Sequence, residues 1–139
     1  MIVPRERGIS KAFAMVHQPT ILIVDDEPNQ RFILEQALQM LADTWKIIVV
    51  TSAIEALAQI EQQLPDLIIT DYHMPGMTGI ELIEQVRKRQ IRMPIILMTA
   101  YNTPEVQIAA RRLGVDHALT KPVSIALLRQ LTTEALSTT

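Results

Sequence analysis

Between Thr20 and Thr120 the chain repeats one unit, a short apolar run followed by a longer segment with apolar residues at helical spacing. The runs are Ile21–Val24, Lys46–Val50, Leu67–Thr70, Ile95–Met98 and His117–Thr120. Most are continuous rather than alternating, as strands are when both faces of a parallel sheet are covered. A parallel neighbour can be reached only by a crossover long enough to hold a helix, and such crossovers are right-handed. The alternation therefore predicts an α/β fold: a doubly wound, five-stranded parallel sheet with five helices on its two faces.

The segments between the runs carry helix signals. Pro28 suits a first turn, with Phe32, Ile33, Leu34, Leu38 and Leu41 as the apolar face. Ser52 with Glu55, and Thr78 with Glu81, have the spacing of capping boxes. They precede Leu57, Ile60 and Leu64 in one segment, and Leu82, Ile83 and Val86 in the other. Thr103-Pro104 opens a fourth helix that Leu113-Gly114 closes, and Ser124 caps a fifth whose Leu127, Leu128 and Leu131 face inward.

In open parallel sheets, ligands bind beyond the carboxyl ends of the strands. The unusual polar residues fall there: Asp25-Asp26 after the first run, Asp71 after the third, Thr99 after the fourth and Lys121 after the fifth. Crowded carboxylates repel one another unless a cation neutralises them. A hard divalent ion with oxygen ligands fits the set, and magnesium keeps waters and bridges to phosphate oxygens. Asp71 is a candidate nucleophile that would form an acyl phosphate. Thr99 offers a hydroxyl, and Lys121 an ammonium that meets an anion as a point charge. Taken singly, each group has an ordinary explanation: a helix cap for Asp25 or Asp26, a loop aspartate, a strand-end threonine, a surface Lys-Pro turn. Pro75-Gly76 and Gly79 argue against an ordinary loop at Asp71, because they shape a tight turn beside it. His17, His73 and His117 lack metal-site spacing; His73 follows the nucleophile closely enough to line the pocket, and His117 reads as structural.

Composition narrows the function classes. With 139 residues, 48% hydrophobic and 20% charged, the chain suits one domain with a substantial core. The net charge of −2, without a basic run, does not suggest a nucleic-acid binder. No cysteine is present, which excludes disulfides and thiol chemistry. No apolar stretch approaches the roughly 18 residues of a membrane span, and no signal-peptide core is present, so the expected location is cytoplasmic. Residues 1–19 read as an N-terminal tail, 20–136 as the folded domain and 137–139 as a C-terminal tail.

The runs Ile-Leu-Ile-Val-Asp25-Asp26-Glu-Pro, Ile-Ile-Thr-Asp71-Tyr-His-Met-Pro-Gly-Met-Thr-Gly, Met-Thr99-Ala and Leu-Thr-Lys121-Pro together resemble the receiver domain of two-component response regulators. Each motif alone is weak; four in this order are specific. The resemblance implies a CheY-like, flavodoxin-like sheet of order 2-1-3-4-5. It implies Asp71 as phosphoacceptor, and magnesium held by Asp26, Asp71 and the backbone carbonyl of His73, with Asp25 acting mainly through water. It implies Thr99 as the switch hydroxyl and Lys121 as the phosphate-binding lysine, its bond to Pro122 cis. The phosphoryl donor would be a sensor histidine kinase or a histidine phosphotransfer protein. The domain would catalyse only its own phosphorylation and hydrolysis, and would not be an enzyme acting on other substrates. It would signal through contacts with a downstream protein or output domain, either as a single-domain regulator or as the receiver of a larger protein, without binding nucleic acid or membrane. A homodimer through the fourth and fifth helices is compatible with Arg111, Arg112 and Arg129, which fit a solvated face equally well.

The sequence departs from that pattern at Ala118, where the family carries an aromatic residue three positions before the lysine; Tyr101 is a candidate replacement cover. Three other functions compete. A dehalogenase-type phosphatase requires a second aspartate two positions after the first-strand nucleophile, where this chain has Glu27. A flavodoxin-like nucleotide binder requires a phosphate loop where this chain has Asp25-Asp26-Glu27. A degenerate receiver used only for binding would not need the intact acidic set.

Overall fold

A computed structural model describes residues 18–40 and 45–137. The strands are β1 (Thr20–Val24), β2 (Lys46–Val50), β3 (Leu67–Asp71), β4 (Ile95–Thr99) and β5 (His117–Thr120). The helices are α1 (Pro28–Gln39), α2 (Ala53–Gln62), α3 (Gly79–Lys88), α4 (Pro104–Arg112) and α5 (Ile125–Ser137). The sheet is parallel throughout in the order β2-β1-β3-β4-β5, the topology the resemblance implied.

Side chains alternate across a strand, and the core divides accordingly. Leu22, Val24, Ile68, Ile95 and Leu97 meet α2, α3 and α4 on one face. Ile21, Ile23, Leu67, Ile69, Ile96 and Met98 meet Leu34 and Leu38 of α1 and Leu128 and Leu131 of α5 on the other. β1, β3 and β4 are buried along their whole length, which explains their unbroken apolar runs. At the amino ends of the strands, two aspartates do the same work. Asp66 Oδ2 accepts from Thr20 N–H at 2.8 Å, and Asp116 Oδ1 from Ile95 N–H at 2.9 Å.

The helix caps follow the sequence with two adjustments. Thr78 and Glu81 form the full capping box of α3, Thr103 caps α4, and Ser124 Oγ accepts from Leu127 N–H at 3.2 Å. α1 is capped by Glu27, whose carboxylate accepts from Asn29 and Gln30 N–H. Ser52 caps α2, but Glu55 turns to the Thr51 N–H and hydroxyl, each at 2.6 Å, so only half of that box exists. α4 ends in a Schellman motif, with Gly114 at φ +71 and Val115 N–H donating to Ala110 at 2.9 Å.

Some expected core positions lie outside. α1 buries Leu34, Ala37 and Leu38, whereas Phe32 is 62% and Ile33 49% exposed. The cap fixes the phase of α1, and only the face carrying 34, 37 and 38 meets the sheet. Leu64 lies beyond the end of α2, and Leu127 sits on the outer side of α5; both are exposed. Leu41 and residues 1–17 of the N-terminal tail fall outside the described residues. Among those described, no helix is long and apolar enough to cross a membrane.

Candidate functional site

The topology carries Asp25, Asp26, Asp71, Thr99 and Lys121 to one edge of the sheet. Asp71 and Thr99 are the last residues of β3 and β4, Lys121 follows β5, and Asp25 follows β1. In-register pairing of β1 with β3 and β3 with β4 brings these ends level.

Asp71 is buried, and its Oδ1 lies 2.9 Å from Lys121 Nζ. The same oxygen accepts from Tyr72 N–H at 2.8 Å. The backbone is held just as closely. Gly79 N–H donates to the Tyr72 carbonyl at 2.8 Å, and a Cβ at Gly79 would collide with the Asp71 carbonyl oxygen. Gly79 is therefore required for close approach of α3 to β3, and Gly76, at φ +87, for the turn between them.

Asp25, Asp26 and Asp71 each direct a carboxylate oxygen to one point, these atoms lying within 4.8 Å of one another. Asp25 is 0% exposed. Its Oδ1 accepts from Glu27 N–H at 2.9 Å, and its carbonyl from Arg31 Nη1 at 2.9 Å. Its Oδ2 is buried and has no hydrogen-bond partner among the described residues. Burial first, then the charges of Asp71 and Asp26, push the Asp25 carboxyl up to about 6, against the Glu27 N–H and Lys121. An orphaned buried oxygen in an all-oxygen acidic cluster is what a hard divalent cation would satisfy, so this donor set fits magnesium.

Thr99 is buried, and its Oγ1 accepts from Tyr101 N–H at 3.1 Å. Lys121 N–H donates to the Thr99 carbonyl at 2.8 Å, tying the ends of β4 and β5 together. The Lys121–Pro122 bond is cis. His73 is exposed, its ring edge-to-face with Tyr72 at 4.9 Å and with Tyr101 at 6.2 Å. Tyr101 is 69% exposed, so it flanks the site without covering it. His117 is exposed, away from the site's polar groups.

Three participants were not legible beforehand. Glu27 carries a cap as well as the N–H on Asp25, Arg31 reaches back past the start of α1 to the Asp25 carbonyl, and Asn102 bridges to β5. Only the cap had a local signal, in the Glu-Pro step.

The response regulator receiver domain family matches residues 21–133. The chain belongs to that family. A 14.6 kDa protein from the sodA1 3′ region of Leptolyngbya boryana is 43% identical over 109 residues, 76% of this chain and 81% of that protein. The response regulator protein PilR of Pseudomonas aeruginosa is 38% identical over 116 residues. That match spans 83% of this chain but 25% of the regulator's length. The CheY-like response regulator receiver domain protein of Methanospirillum hungatei superposes with a TM-score of 0.78 at 30% identity, covering 85% of this chain and 93% of that one. This receiver domain is thus homologous to response regulators of two-component systems.

Proposed function

We propose that this receiver, residues 20–136, accepts a phosphoryl group on Asp71 from a histidine kinase or histidine phosphotransfer protein in the cytoplasm. The N–P bond of the phosphohistidine breaks as an O–P bond to an Asp71 carboxylate oxygen forms, giving an acyl phosphate. Little covalent assistance is needed for such a transfer; alignment and charge neutralisation suffice. Lys121, already ion-paired to Asp71 at 2.9 Å, compensates the charge gathering on the phosphoryl oxygens. Thr99, fixed at the end of β4, turns its hydroxyl toward one of them. Asp25, Asp26, Asp71 and the His73 carbonyl would hold magnesium, which when bound supplies positive charge against the phosphoryl oxygens. Water later attacks phosphorus, the Asp71 O–P bond breaks and inorganic phosphate leaves, which restores the carboxylate, so the domain times its own signal and turns over no other substrate.

The convergence of the Asp25, Asp26 and Asp71 carboxylates, with oxygens within 4.8 Å of one another and Asp71 paired to Lys121, carries this reading. The test is intact mass after incubation with acetyl phosphate, with and without magnesium, on wild type and Asp71→Asn. A magnesium-dependent phosphoryl adduct confined to wild type is expected. No adduct on wild type, or an equal one on the variant, overturns the assignment.

A further inference from the structure

The loop of residues 100–103, between β4 and α4, touches the phosphorylation site at one end and β5 at the other. At the site end, Tyr101 N–H donates to Thr99 Oγ1 at 3.1 Å. At the far end, Asn102 Nδ2 donates to the Ala118 carbonyl and to Thr120 Oγ1, each at 3.3 Å. The Asn102 main-chain carbonyl accepts from Gln107 Nε2 at 3.0 Å, which joins the same residue to α4. β5 then runs directly into Lys121, whose ammonium is 2.9 Å from Asp71. Asp71, Lys121, Thr120, Asn102, Tyr101 and Thr99 therefore lie along one continuous line of bonds that leaves the site through Lys121 and returns through Thr99.

Asn102 is the poorly satisfied link of that line. Both amide bonds are long for N–H···O contacts. Its Oδ1 is buried and has no hydrogen-bond partner among the described residues. A buried carboxamide with an idle acceptor is costly, so this arrangement is held in place by its surroundings. A change in those surroundings can release it to another set of partners. The Ala118 methyl packs against the core on the α2, α3 and α4 face, and the loop meets β5 through the Ala118 main-chain carbonyl, so the Asn102 amide makes the connection.

We infer that Asn102 is the positioning residue that couples Thr99 to β5. When Asp71 carries a phosphoryl group and the Thr99 hydroxyl turns toward it, the loop follows through Tyr101. The Asn102 bonds to Ala118 and Thr120 are then exchanged, and the exposed edge of β5 reports the state of the site. This rests on the Asp71 reading above, and it assigns the route by which that site is read.

Amide hydrogen exchange across residues 117–120, with intact mass on the same samples, tests it in wild type and Asn102→Ala before and after acetyl phosphate with magnesium. Phosphorylation of wild type should change exchange in β5 by at least about threefold. Asn102→Ala should form the adduct to the same extent, with the phosphorylation-dependent change in β5 lost. A merely structural asparagine would shift both states equally and leave the difference between them intact. An unaltered difference in Asn102→Ala, or a phosphorylated wild type with no change in β5, overturns the inference. Should Asn102→Ala not fold, Thr120→Val removes one acceptor at an exposed strand end and should reduce the response at least about twofold; an undiminished response overturns the coupling. Absence of any adduct on wild type defeats the Asp71 reading as well, and is seen in the mass rather than in the exchange.

Discussion

Gly79 and Asp25 show how closely single residues are fitted at this site. At Gly79 the space for a methyl group is already filled by the Asp71 carbonyl and by Leu97. Gly79→Ala should cost about 1–3 kcal/mol of stability, since backbone cannot yield as a side-chain tip would. It should also slow phosphorylation, because relief comes only by moving Asp71; urea denaturation and adduct formation by mass check the two effects. Asp25 gives a pH dependence. Its carboxyl is raised from 3.8 to about 6, so the folded state binds the proton more tightly than the unfolded state. The resulting stability is complete below the unfolded value and is lost as pH rises through about 6. In EDTA, wild type should lose on the order of 1 kcal/mol more than Asp25→Asn between pH 5 and 7.5. Magnesium, which competes with that proton, should stabilise wild type more at pH 7.5 than at pH 5. Denaturation curves with equal pH slopes for the two proteins would refute this.

Among the elements, α3 illustrates how a helix is bounded at both ends. Thr78 and Glu81 satisfy its first turn reciprocally, and both are visible in the sequence. Its last turn is closed by Gln90 at φ 60, with Gln90 N–H bonded to Arg87 and Ile91 N–H to Val86. This is the arrangement that Gly114 completes at the end of α4, built here with a side chain in the left-handed region. Gln90→Gly should stabilise the fold by about 0.5 kcal/mol, the relief of left-handed strain exceeding the entropy glycine adds to the unfolded chain. Thr78→Ala should cost about 1 kcal/mol through the lost cap. Thermal melts of the two variants, which should move in opposite directions, check both. Glycine spacing marked the end of α4, but nothing local marked Gln90, because its conformation follows from where β4 must begin.

For the molecule as a whole, Arg87 joins the two connections at the amino end of the sheet. Its guanidinium donates to the carbonyls of Ile91, Met93, Leu113 and Gly114 at 2.9–3.2 Å. It thereby holds the turn before β4 against the turn before β5. Burial lowers its pKa, as expected of a cation drawn from water and repaid by carbonyl dipoles. Arg87→Met should destabilise by on the order of 3 kcal/mol, since several carbonyls lose one shared donor. Adduct formation at a temperature where the variant is folded should be unchanged, because Asp71 lies at the opposite ends of the strands. The sequence by itself determined the βα alternation, most caps, and the placement of Asp25, Asp26, Asp71, Thr99 and Lys121 at strand ends. These follow from local period, turn chemistry and chain direction. The tertiary structure decided which face of α1 is buried, leaving Phe32 and Ile33 outside, and that Asp25 Oδ2 has no hydrogen-bond partner among the described residues. It also decided that Arg87 and Asn102 serve carbonyls far along the chain. No local pattern encodes these, because each depends on which distant groups packing does or does not bring together.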